Sequence, residues 1–322
     1  NMIRPPLYLP FAEGKWQMSM SLKALDPQDW IEIDDQFVQY LLQKDTLLRT
    51  RHTEVFASLP GTEASQQEVL ELLLDHLLKQ FPQHYRRQGQ TIEAIATHQV
   101  WHISDFESAP LDLAGRLVQE DLLLMERSPQ GYRLVAASLC FPLRWRLREK
   151  LGCPLTQIHA PVPGYSEKLA HSVDSVFNRL KSNHPVWRLN WSIVESPELF
   201  FPPDKAKPGW EKIINCQNAG DQLFLRIERQ TLRRLTQSGD ILFTVRTYVY
   251  PLRVLEDHPQ MAESLAEIIQ HMPVEMQEYK NILPIRQVLL GYLGSIVKTG
   301  AIANNLDNPT IVMKREPTSH SQ

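Results

Sequence analysis

Two patterns in the chain predict an α+β fold built around an antiparallel sheet. Helical periodicity fills the first part of the sequence, and strand patterns follow with helices between and after them. Within the strand part, residues 223–232 and 241–250 both alternate, and Gln237-Ser238-Gly239-Asp240 between them suits a hairpin turn. At 322 residues and 43% hydrophobic, the chain can bury a sizeable core.

In order, residues 3–24 read as an extended arm: Pro5, Pro6 and Pro10 are followed by Met18, Met20 and Leu22 as apolar insertions. Asp26-Pro27 opens a turn or helix, with proline favoured in a first helical turn. Trp30, Ile33, Phe37, Leu41 and Leu42 follow at helical spacing, with Asp34 or Asp35 as a cap. Ser65 to Glu68 has capping-box spacing ahead of the stripe Val69, Leu72, Leu73, Leu77 and Leu78, and Pro82 stops that helix. Residues 111–125 are predicted as a further helix, acidic at Glu120 and Asp121.

Ser128-Pro129-Gln130-Gly131 has the chemistry of a turn. Residues 132–141 then form a short, continuous apolar run, as in a buried strand. Ser166 caps a helix whose buried stripe is Leu169, Val173, Val176, Phe177 and Leu180, and 187–195 is a second strand. In the alternating pair, Leu223, Leu225 and Ile227 share one face; Arg226, Glu228 and Gln230 share the other. Thr244, Arg246 and Tyr248 also share a face. If it joins the Arg226 face, a charged patch forms on one side of the sheet; the plain alternative is a solvated outer face. Residues 263–272 and 285–297 complete the helices. The domain reading is an arm over 1–24, a single domain over 25–300 and a polar tail over 301–322.

Carboxylates exceed Lys plus Arg by 37 − 34 = 3, which argues against a general nucleic-acid binder. Cys140, Cys153 and Cys216 are too few and too scattered for a disulfide framework, and a reducing cytoplasm fits them best. No apolar run reaches the length of a membrane span. Motifs for binding nucleotides through a glycine-rich loop are absent, as are His-Glu-x-x-His, Gly-x-Ser-x-Gly and Cys-x-x-Cys-His. What remains is the stretch Ile158-His159-Ala160-Pro161-Val162-Pro163-Gly164-Tyr165. Its prolines stiffen a loop that holds one imidazole, which suits a metal ligand or a structural corner. His98, His102, His171 and His184 compete for the ligand role, and Cys153-Pro154 offers a sulfur.

Several segments stand in a family order. They are Phe141-Pro142-Leu143-Arg144-Trp145, Lys150-Leu151-Gly152, the His159 loop, Arg188-Leu189-Asn190-Trp191, the run from Leu225 to Leu235, and Phe243-Thr244-Val245-Arg246-Thr247-Tyr248. Together, from about Met20 to about Lys280, they resemble the haem-dependent oxidative N-demethylase α-subunit family. The resemblance implies a PAS-like antiparallel sheet with flanking helices around a b-type haem. It also implies oxidative, monooxygenase-type removal of a methyl group from a small secondary amine such as dimethylamine. Electrons would come from a separate NADPH-dependent flavin and iron–sulfur reductase.

On this resemblance His159 is the axial iron ligand. Arg226 and Glu228 are the catalytic candidates of a polar distal site, and Arg229, Arg246, Tyr165 and Trp191 are cofactor contacts. Where members carry Met-Gly-Leu, this chain has Met20-Ser21-Leu22, which bears on the substrate. The rival reading is a PAS-like haem sensor of gas or redox state without turnover; another is a haem-free protein that binds a different small molecule.

Overall fold

The computed structural model describes residues 8–12, 14, 16, 21–165 and 170–306, with the backbone alone for 301–306. Met18, Met20, Ser166, Leu169 and most of the polar tail lie outside the described residues.

The centre is an antiparallel seven-stranded sheet. Its strands are β1 (Lys23–Ala24), β2 (Phe56–Ser58), β6 (Asp121–Ser128), β7 (Gly131–Ser138), β8 (Val186–Val194), β9 (Phe224–Arg234) and β10 (Ile241–Pro251). The order across it is β1-β8-β9-β10-β6-β7-β2. Strands β3 (Tyr85–Gln88), β4 (Thr91–Ala94) and β5 (Gln99–His102) make a separate three-stranded meander. The α+β class with an antiparallel sheet is therefore as the sequence predicts.

Each face of the large sheet has its own cover. On one face, Leu122, Leu124 and Leu242 pack with α1 (Phe37–Thr50), α2 (Glu63–Gln80) and α3 (Pro110–Leu117). Further along the same face, Trp191, Ile193, Leu225, Ile227 and Tyr248 pack with helices near the C-terminal end. On the other face, Leu123, Met125, Leu134, Leu232 and Ile241 meet Leu155, Tyr165, Val173 and Phe177, which come from the His159 loop and the helix after it. Strand alternation produces this division, because neighbouring residues of one strand enter different cores.

Three sequence expectations change. The helix predicted over 111–125 stops at Leu117, and β6 starts at Asp121. Its Leu122-Leu123-Leu124 run fits a helix stripe or a strand buried on both faces. Pairing with β10 on one side and β7 on the other decides for the strand. The Ser65–Glu68 capping box does not form: α2 starts at Glu63 after Thr62, and Thr62 makes no side-chain cap. Ser65 instead donates to Asp240 at 2.6 Å, and Glu68 accepts the backbone N–H of Gln237 and of Ser238 at 2.7 and 2.9 Å. Those two residues dock α2 onto the β9–β10 turn.

The third change sets the site. Position 246 opposes 229 and 247 opposes 228, so even-numbered β10 residues face with odd-numbered β9 residues. Arg246 and Tyr248 therefore share a face with Ile227 and Arg229, away from Arg226 and Glu228. The length of the turn is the cause: Leu235 and Asp240 close it with a 2.8 Å hydrogen bond, and that register carries down both strands. The single charged patch does not form.

Candidate functional site

The His159 loop begins with a single helical turn, α4 (Leu155–Ile158), and His159 closes it. Successive turns follow, with Val162 N–H donating to His159 O at 2.8 Å and Tyr165 N–H donating to Val162 O at 3.1 Å. Gly164 has a φ of +71°, a conformation that glycine adopts without strain. This geometry fixes the ring. His159 Nδ1 sits 2.9 Å from Leu155 O, and because a carbonyl only accepts, Nδ1 carries the proton. In the neutral ring Nε2 then presents a lone pair, and Nε2 has no partner among the described residues.

Burial lowers the His159 pKa, the Leu155 hydrogen bond opposes that, and Lys150 and Arg188 push it down further. Tyr165 stacks on the imidazole with centroids 4.6 Å apart and planes 16° from parallel. Val162, three residues on, packs against two of the three cores, one from each face of the sheet.

Facing the loop is a half-buried polar strip of β8 and β9. Arg188 opposes Gln230 and Asn190 opposes Glu228, so all four side chains lie on one face. Glu228 Oε2 accepts from Asn190 Nδ2 at 3.2 Å and from Gln230 Nε2 at 2.9 Å, and Oε1 takes no donor among the described residues. Arg188 Nε is sealed from solvent without a partner, and its guanidinium makes no ion pair among the described residues. Burial lowers the Arg188 pKa, and Glu228 partly restores it. On the same face, Arg226 Nε and Thr247 Oγ1 are also buried without partners.

Lys280 follows the helix Val274–Tyr279. Its ammonium donates to Trp191 O at 2.7 Å and lies 4.7 Å from the Trp191 ring centroid. Burial lowers its pKa to about 8, with Glu228 opposing the shift and Arg188 adding to it.

The structure thus brings His159, Tyr165 and Glu228 to one side of the sheet, with Arg188 electrostatically coupled to both His159 and Glu228. Arg226 belongs to the same face, but its guanidinium is committed to backbone carbonyls: Phe141 O at 2.6 Å, Leu199 O at 3.1 Å and Glu198 O at 3.3 Å. It ties two loops to the sheet. Arg229 and Arg246 are on the opposite side of the sheet from the His159 loop. Arg229 donates to Trp30 O at 3.1 Å and to Asp29 O, with Glu32 3.3 Å from its Nε. Arg246 pairs with Asp34 at 2.7 Å between the rings of Tyr40 and Tyr248. The Trp191 indole also turns to the helix side, edge-on to Phe11 at 5.4 Å.

Two open clefts lie elsewhere. One, of about 770 Å³, includes Glu256, His258 and Tyr292; the other, of about 590 Å³, includes Tyr8, Glu32, Trp187 and Arg229. No group of three or more His, Cys, Asp or Glu side chains among the described residues is placed to hold a metal ion, so any iron here needs ligands of its own beyond one imidazole. A porphyrin provides four. The donor set fits such a group: a neutral imidazole with a free Nε2, an aromatic ring behind it, and a half-buried guanidinium that makes no ion pair among the described residues and is suited to a carboxylate. Sequence reasoning missed Arg188 and Lys280. The available signal for Arg188 was an arginine at a half-buried strand position inside the Arg188-Leu189-Asn190-Trp191 segment.

No helix among the described residues is long and apolar enough to cross a membrane. Residues 21–290 match the family described as haem-dependent oxidative N-demethylase, alpha subunit-like.

Proposed function

Because the chain belongs to the haem-dependent oxidative N-demethylase, alpha subunit-like family, we propose that it binds a b-type haem between the His159 loop and the β8–β9 strip, in a PAS-like arrangement. There it removes a methyl group from a small secondary amine such as dimethylamine. Dimethylamine, O2, two electrons and two protons give methylamine, formaldehyde and water. The electrons come from a separate reductase, since the sequence carries no glycine-rich nucleotide loop of its own.

The observation that carries this reading is the Leu155 O···His159 Nδ1 contact, which supports an Nε2 lone pair held for a metal. The haem supplies the oxygen and electron chemistry once bound. The chain's residues do the rest. His159 would hold the iron through Nε2, and Tyr165 fixes the plane of its ring. Arg188 would hold a propionate carboxylate and so gain the acceptor its Nε lacks. Glu228, anchored through Oε2, turns Oε1 to the substrate ammonium, orients it and takes its proton.

Titration of the purified protein with haemin tests the ligand. A Soret band characteristic of imidazole ligation is expected in the native protein and is lost or displaced in His159→Ala. An unchanged band in that variant overturns the assignment. With a chemical reductant and dimethylamine the loaded protein releases formaldehyde; a bound haem without formaldehyde marks a sensor instead.

A further inference from the structure

Resting on the amine-oxidation reading, we infer that Thr247 determines specificity at this site: its hydroxyl accepts the second N–H of a secondary ammonium whose first N–H meets Glu228. Geometry carries the inference. Glu228 has a directly opposed neighbour on either side, Asn190 on β8 and Thr247 on β10. Asn190, with Gln230, donates to Oε2, and Oε1 takes no donor among the described residues. Thr247 is 1% exposed, and its Oγ1 is sealed from solvent without a partner. A hydroxyl so buried carries a desolvation cost that nothing in the empty site offsets. The two unanswered oxygens, Glu228 Oε1 and Thr247 Oγ1, thus belong to opposed residues on one face of the sheet.

Such a pair suits a single nitrogen. Directly opposed side chains of an antiparallel pair have Cβ atoms about 4.5–5.5 Å apart. A tetrahedral nitrogen making two N–H···O contacts of about 2.9 Å needs its acceptors about 4.7 Å apart. Dimethylammonium carries two N–H bonds and trimethylammonium one. The latter leaves one oxygen unanswered and brings a methyl group against the hydroxyl. Net charge does not make this choice, because Arg188 and Arg226 share the face with Glu228. The Arg226 guanidinium is spent on three backbone carbonyls, with only Nε left over. Recognition therefore falls to acceptors at short range. When Glu228 takes one proton from the cation, the lone pair left on nitrogen faces Glu228, and the remaining N–H stays on Thr247.

The test is calorimetric titration of haem-loaded protein with dimethylammonium chloride and with trimethylammonium chloride. Native protein is expected to bind the first roughly tenfold more tightly, the scale of one hydrogen bond to a charged group. Thr247→Val keeps the branched shape without the hydroxyl. It should lose roughly tenfold in dimethylammonium affinity and leave trimethylammonium affinity unchanged, which erases the preference. Thr247→Ser should retain the preference. In cofactor-free protein, Thr247→Val should melt at or above the native temperature, because the lost hydroxyl bonded nothing. Equal native affinities, a preference that survives in Thr247→Val, or a lowered melting temperature in that variant overturns this inference and leaves the demethylase reading intact. Loaded protein that neither binds nor oxidises dimethylamine overturns both.

Discussion

A guanidinium inside a protein has given up its hydration, and without an acceptor nothing offsets that cost. Arg188, half-buried on β8, is partly in this position, since its Nε alone is sealed from solvent without an acceptor. Replacing it with methionine should leave the cofactor-free protein as stable as before or slightly more so, because a buried N–H without an acceptor is removed. The same change should weaken haemin binding by about 10- to 100-fold, the worth of a charged hydrogen bond of about 1.5–3 kcal/mol. Thermal melting with and without haemin measures both. A large loss of stability in the cofactor-free variant would instead assign Arg188 to the fold. The contrast with Arg226, Arg229 and Arg246 shows what sequence does not reveal of a strand arginine. A charged residue in an alternating strand looks functional on any face, but whether its charge is already answered by Asp34 or by a row of carbonyls depends on tertiary partners. The stiff corner that carries His159 was legible because two prolines and a glycine announce that loop locally.

At the level of elements, the strand pair 224–251 was readable because alternation and turn chemistry are local signals. Its register was not, since one residue more or less in the turn exchanges the faces. The β6 strand was missed for a related reason: three consecutive leucines satisfy either period, and only its neighbours choose. The first residue of β6 supplies a test. Asp121 accepts the backbone N–H of Cys140 at 2.8 Å and of Phe141 at 2.9 Å, and its carboxylate lies 3.7 Å from the fully buried Lys44 ammonium. Burial raises the Asp121 pKa, and Lys44 and those N–H groups oppose it. Asp121→Ala strands both the cation and the donors, so a loss of roughly 3–5 kcal/mol is expected in urea unfolding. A loss below about 1 kcal/mol, the range of an ordinary surface pair, would show that water answers those groups.

For the molecule as a whole, the two faces of the sheet have unequal covers. The helix side holds the larger apolar clusters and closes over Arg229 and Arg246. The side with the His159 loop has a smaller core, backed by one described ten-residue helix, Ala170–Arg179. Ligand binding should therefore be felt on one side only. Amide exchange of residues 155–165 is expected to slow at least tenfold when haemin is added, while α2 and the helix Pro259–His271 stay unchanged. Equal slowing on both sides would place the ligand elsewhere, for example in the cleft beside Arg229.

Strand β8 pairs on its outer side only through Val186 and Trp187, with β1. Among the described residues no strand continues that pairing along the rest of its length. Such a margin invites recruitment of a neighbouring molecule by backbone addition. The Lys280 ammonium stoppers one of its carbonyls, at Trp191, with a donor that has no strand behind it. A strand arriving along that edge would have to displace this ammonium first.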